Sequence, residues 1–444
     1  MNLPCKRHLI LLAVPVLSLA QSRPTIELSL KHAIEIALAP DGNARLQLAR
    51  QAMRQAESRS IQARAALLPN VEGSVAEQNQ TRNLAAFGIK IDIPLPGFHF
   101  PQLAGPFSVF DVRASATQTV FDFPSIRRYQ ASRTVAQAAS QETDAVKDEV
   151  ARQVSLLYLA ALRASARVDA AQADVDLARS LANLAANQKA AGTGTGIEVT
   201  RAAVQLAQAR QQLLMAQADQ RQARLELLRA IGLPLDTALS LTGSLDYMPL
   251  DLPSPEKALE AALASRADWR SQQLRERGAA LSHSAVKFER LPSLTGFADY
   301  GSIGTSITSA IPTRTFGVAM RVPVFDGGRR DARRSESRSQ LEQERIRTAD
   351  LRRQIELEIR LALDDLESAA EQVRVAGEGL SQVQAELEQA ERRYKAGVAA
   401  SLEVTDAQTR LARARENHIA ALFLHHRARL DLWQAMGKIR ELAD

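Results

Sequence analysis

The stretch Ala191-Gly192-Thr193-Gly194-Thr195-Gly196-Ile197-Glu198-Val199-Thr200 returns 205 positions later as Ala396-Gly397-Val398-Ala399-Ala400-Ser401-Leu402-Glu403-Val404-Thr405. A glycine, five variable positions and Glu-Val-Thr frame both copies. Downstream, Leu206, Ala207, Ala209 and Arg210 match Leu411, Ala412, Ala414 and Arg415, and Gly232 matches Gly437. Upstream, Phe121-Asp122 answers Phe325-Asp326, and Leu68-Pro69 answers Leu291-Pro292 at a slightly different offset. Near the start of each half, Ala33-Ile34-Glu35-Ile36-Ala37-Leu38 resembles Ala258-Leu259-Glu260-Ala261-Ala262-Leu263. The chain is an internal duplication.

All 17 prolines lie outside two windows, residues 125–233 and 324–444. Proline breaks helix interiors, so long helices fit in these windows. Within each, apolar residues return in alternating steps of four and three: Val150, Val154, Leu157, Ala161 and Ala164 run on to Ala185, and Ile355, Ile359, Ala362, Leu366 and Ala369 run on to Tyr394. After each glycine break the register restarts, at Val199, Ala202 and Leu206 and at Val404, Ala407 and Leu411. These seven-residue seams predict coiled-coil hairpins over about 125–232 and about 327–437, with their tips at the breaks. A single helix over 125–190 would run roughly 100 Å.

The seams account for an unusual composition. Of 444 residues, 45% are hydrophobic, yet only 2 are Trp, 5 Tyr and 12 Phe, so Ala, Leu and Val supply the core. That apolar fraction excludes intrinsic disorder, and 21 glycines without period exclude a collagen-like fibre. The single cysteine, Cys5, permits no intrachain disulfide. Lys6 and Arg7, an apolar run over 9–20 and Ser18-Leu19-Ala20 before Gln21 read as a signal peptide over 1–20, too short for a helical anchor. Its removal takes the net charge from +6 to +4, leaving 54 basic against 50 acidic residues. The chain then divides into a first repeat, 21–232, a Pro-rich linker, 233–257, a second repeat, 258–437, and a short tail, 438–444.

Ahead of each hairpin lies a candidate strand pair, about 71–121 and about 293–324. Over 109–121, Phe110, Val112, Ala114, Ala116 and Val120 alternate with Asp111, Arg113, Ser115, Thr117 and Thr119. Phe316, Val318, Met320, Val322 and Val324 likewise alternate with Thr315, Gly317, Ala319 and Arg321. Strands of about ten residues with one apolar and one polar face suit a transmembrane barrel. Two solvent-covered hairpins fit the same periodicity. If the strands lie in lipid, four cannot close a barrel, and two or more chains must associate.

The signal peptide, the duplicated strand pair plus helical hairpin, Leu-Pro before each pair, and the second tip from Tyr394 through Gly397 and Glu403 to Ala407 together resemble the TolC family of outer-membrane efflux proteins. The resemblance covers about 28–437. It implies a fold that is mainly α with a β-barrel portion: a homotrimer sharing one 12-stranded barrel in outer-membrane lipid, with the hairpins forming an α-barrel across the periplasm. It further implies an exit duct for a tripartite efflux pump or type I secretion system, working with a periplasmic adaptor and an inner-membrane transporter. By motif position, Glu403 and Asp406 match a carboxylate ring at the periplasmic constriction. Three apart on one helix face, they would repel one another and favour cations. Two acids near a helix start also complement the helix dipole without any pore. Glu198 and Tyr394 match positions of constricting hydrogen-bond partners. The family's locking arginine would fall at Ala399, so that contact is missing; Arg201, the counterpart of Asp406, is a candidate substitute ion-pair partner. The tips, with Gly192, Thr193, Gly196 and Ile197 in the first and Gly397, Val398 and Leu402 in the second, are the implied adaptor contacts.

Other features carry less. His418, His425 and His426 point in different directions or lie two turns apart, which favours a packing or solvated role over a metal site. Residues 84–108, with four prolines, form a long inter-strand loop. Arg329, Arg330, Arg333 and Arg334 follow a strand and mark a strand–helix junction, not a nucleic-acid patch. Residues 192–196 lack the lysine of a phosphate loop. No catalytic, zinc or cofactor constellation stands out, so the chain reads as a non-enzyme. The rival readings are a periplasmic coiled-coil adaptor, with one helical hairpin set in β-rich domains, and a soluble coiled-coil structural protein.

Overall fold

Each repeat builds the same series of elements, and the computed structural model describes residues 26–89, 102–249 and 252–442. The expected signal peptide and the centre of the 84–108 loop lie outside the described residues. The first repeat runs β1 (Ile26–Leu28), α1 (Leu30–Leu38), α2 (Ala44–Ala65), β2 (Asn70–Asn83), β3 (Leu103–Phe121), α3 (Phe123–Ala190) and α4 (Gly196–Ile231). After β4 (Leu239–Leu241) the second follows as α5 (Pro255–Ser265), α6 (Ala267–Lys287), β5 (Ser293–Gly304), β6 (Ile311–Arg321), α7 (Arg329–Lys395) and α8 (Ser401–Ala435).

The helices begin where the sequence supplies caps. Asp122 accepts from the Ser125 amide at the start of α3, and Pro124 occupies the first turn, where a missing N–H costs nothing. At 68 and 67 residues, α3 and α7 each extend about 100 Å. Each long helix packs along its hairpin partner, and α3 also packs against α8. The seam residues are the buried ones: Val150, Val154 and Ala161 in α3, Ile355, Ile359 and Leu366 in α7.

Midway along the hairpins, the short elements build two apolar belts. Parallel β1 and β4, with α1, cover Val150, Val154, Tyr158, Leu227 and Ile231. The Tyr158 hydroxyl donates to the Leu28 carbonyl at 3.1 Å and accepts from the Gly243 amide at 3.1 Å, so burial leaves it satisfied. On the other side α5 covers Ile355, Ile359 and Leu366. Arg266 is buried there between Asp268 at 2.7 Å and Glu358 at 2.5 Å.

At one end of the hairpins lies an antiparallel sheet in the order β2-β3-β5-β6, so the two repeats join through β3 and β5. The register puts Val71 opposite Ala116, Ala116 opposite Ala298 and Ala298 opposite Phe316. One face therefore carries Val71, Val75, Phe316, Val318 and Met320, each more than 60% exposed in the single chain. On the other face Arg113 lies between Asp111, at 3.3 Å, and Asp299. The Phe297 ring covers Gly317, its cross-strand neighbour; a Cβ there would lie 2.8 Å from the ring.

Two strand limits differ from the sequence expectation. The last strand, expected over about 315–324, spans Ile311–Arg321 because Pro323 has no N–H to continue the ladder. The second strand, expected from Val109, begins at Leu103 and pairs back to Asn83, so the loop before it is shorter than 84–108.

Candidate functional site

At the far end from the sheet, the hairpins turn at the repeated glycines. Gly192 and Gly397 have φ of 73° and 74°, the left-handed region where a side chain is strained. The start of each break is hydrogen bonded back to the helix it leaves: the Thr193 amide reaches the Gln188 carbonyl at 2.9 Å and the Val398 amide the Arg393 carbonyl at 3.1 Å. Gly196 opens α4 without positive φ, so its glycine is not a conformational requirement.

The side chains at the two tips diverge. In the first, Glu198 Oε2 accepts from the Thr195 amide at 2.9 Å and from its hydroxyl at 3.1 Å, a capping box that holds the carboxylate at the helix start. In the second, the cap position is Ala400, which has no hydroxyl, and no side chain caps α8. Glu403 instead lies exposed, 3.5 Å from Arg393 of α7, a residue that sequence reasoning did not single out. Asp406 is exposed one turn further on, and within the chain it has no partner among the described residues.

Between the hairpins, Glu198, Arg201 and Tyr394 line one crevice with Ala178, Leu181 and Gln408, and its cavity volume of about 20 Å³ has room for a single water. Tyr394 is 6% exposed, and its hydroxyl has no hydrogen-bond partner among the described residues. Burial, and then the Glu198 charge, push its pKa up. The structure thus brings together Glu198, Arg201 and Tyr394 but leaves Glu403 and Asp406 outside the crevice. Arg201 and Asp406 form no ion pair within one chain. Apolar tip side chains face outward: Ile197 is 58% exposed, Val398 68% and Leu402 54%.

Higher up, ion pairs tie the hairpins together. Arg163 and Arg167 of α3 reach Glu416 of α8 at 3.3 and 3.1 Å, and Arg415 of α8 reaches Asp174 of α3 at 2.5 Å. Towards the tips Leu177, Leu181 and Leu184 pack against Leu387, Val404 and Leu411 instead. Of the histidines, His425 is buried against the Tyr247 ring at 4.8 Å, and His426 Nε2 bonds the Asp246 carbonyl at 2.8 Å. No group of three metal-ligating side chains converges among the described residues.

Known proteins share this fold. The chain superposes on a CusC crystal structure with a TM-score of 0.79 at 17% identity, covering 93% of both chains. For the open state of the Neisseria gonorrhoeae MtrE outer membrane channel the TM-score is 0.77 at 18% identity, covering 92% of this chain and 88% of that one. In sequence it is 24% identical over 394 residues to the pyoverdine export outer membrane protein OpmQ of Pseudomonas putida, covering 87% of this chain and 81% of that protein. It is 26% identical over 223 residues to the outer membrane efflux protein BepC of Brucella suis, covering 50% and 48%. The family model described as outer membrane efflux protein matches residues 36–233 and 258–438, both repeats, and the chain belongs to that family.

Proposed function

We propose that three copies of this chain close one barrel of twelve strands and form a passive exit duct from the periplasm through the outer membrane, gated at the hairpin tips. The sheet carries this reading. It has an apolar face, a polar face holding the Asp111–Arg113–Asp299 cluster, and two open edges, β2 and β6. Open edges are not tolerated in lipid, and copies of the chain remove them. No helix among the described residues is long and apolar enough to cross a membrane. The alternative of a periplasmic adaptor is disfavoured by the duplication and by the family.

At the tips, Glu403 and Asp406 of three chains would form the carboxylate ring. Glu198, Arg201 and Tyr394 would link the hairpins of one chain, the cavity between them accommodating a bridging water. The exposed Ile197, Val398 and Leu402, carried by the turns at Gly192, Thr193, Gly196 and Gly397, suit docking of a periplasmic adaptor, which in turn would engage an inner-membrane transporter. OpmQ's part in pyoverdine export supports export of a cargo through this chain's duct. Detergent-extracted protein should run as a trimer and conduct ions across a planar bilayer. A monomer released from washed membranes without detergent would overturn the reading.

A further inference from the structure

The open edges of the sheet present complementary charges at its helix-proximal end. On β2, Glu72 is exposed on the polar face, and among the described residues its side-chain partner is Asn70 of its own strand, at 2.7 Å. On β6, Arg321 is exposed on the same face and has no ion-pair partner among the described residues. Both lie in the rungs nearest the helices. We propose that Arg321 of one copy pairs with Glu72 of the next, across the seam where β6 meets the neighbour's β2. This rests on the reading of the chain as a trimeric barrel.

The register of the sheet constrains the seam. Rungs run level through Glu72, Ser115, Asp299 and Thr315. An untilted closure would therefore put Thr315 opposite the neighbour's Glu72, but barrel strands tilt, so the neighbour must slide. The slide must be even, because an odd one would turn apolar side chains into the lumen. It must also bring Arg321 up towards β2, since sliding the other way by four or six residues leaves only three rungs or one paired. With about 3.3 Å per residue and about 4.8 Å between strands, slides of about four and six residues over four strands give tilts of about 35° and 45°, the usual range. A slide of about six sets Arg321 directly opposite Glu72. A slide of about four sets it opposite Asn70, with Glu72 on the diagonal, still within reach of a long side chain. The lumen face of the seam thus gains an ion pair where each edge alone leaves an exposed charge.

The test is charge exchange in the full-length protein. Glu72→Arg and Arg321→Glu should each lower the temperature at which the trimer survives a denaturing gel, by several degrees, and the double exchange should restore it. In a Cys5→Ser background, Glu72→Cys with Arg321→Cys should give covalent trimers with a thiol cross-linker of about 8 Å reach, which spans both the direct and the diagonal pair. A double exchange as weak as the singles, or trimers that stay uncross-linked, overturns the seam pair while leaving the duct intact. A wild-type protein that never trimerises overturns both.

Discussion

The two hairpin tips share a backbone and part ways in chemistry. Each reverses on a glycine in the left-handed region, and each places a glutamate on the first turn of the returning helix, Glu198 in one and Glu403 in the other. Thr195 decides the fate of the first: its hydroxyl and amide hold Glu198 in a cap. Where the second repeat has Ala400, Glu403 has no such anchor and faces solvent beside Arg393. After the duplication, Thr195 in one repeat and Ala400 in the other leave one carboxylate capped and the other exposed. The same divergence recurs further up. Gln220 donates to Ser165 Oγ at 3.1 Å, whereas its counterpart His425 is buried with Nδ1 unpartnered among the described residues.

The largest expected difference between the repeats lies at that histidine. Burial, with His426 and Arg429 nearby, lowers the His425 pKa to about 4. The neutral ring is the folded form. Its contribution is therefore whole above the unfolded pKa of about 6.5 and is lost as pH falls towards about 4, up to about 3 kcal/mol. Denaturant titrations across that window should show a slope that His425→Gln flattens; an unchanged slope would place the titration elsewhere.

Gly192→Ala and Gly397→Ala should be alike, each costing about 1–2 kcal/mol, because the φ requirement is common to both tips. A large inequality in hydrogen exchange at the two tips would break the equivalence of their backbones. Thr195→Ala should destabilise the start of α4 by about 1 kcal/mol, whereas Ala400→Ser should stabilise α8 by somewhat less and draw Glu403 towards the cap. Helix-start exchange rates check both.

Much of this was legible in the sequence. The glycine breaks and the seven-residue seams place the hairpins, because the period of apolar residues follows directly from which helix face is buried. Strand limits were less legible. Leu103–Phe121 runs on past Val109 because β2 offers pairing partners that local alternation does not reveal, and Pro323 ends β6 at a point where apolar alternation continues to Val324. Thr195 and Glu198 spell a capping box at the right spacing, yet the family resemblance directs attention to Glu198 as a constriction residue. Arg393 beside Glu403 depends on how the turn sets α7 against α8, and the pairing of Arg163 and Arg167 with Glu416 on how helices distant in sequence are staggered; no spacing within one helix encodes either.

Ion selectivity of the trimer in a planar bilayer measures the unequal roles of the two glutamates directly. Under a salt gradient, Glu403→Gln should shift the reversal potential towards lower cation preference, while Glu198→Gln should leave it unchanged, because Gln can still cap the start of α4. A shift produced by Glu198→Gln with none from Glu403→Gln would contradict the assignment.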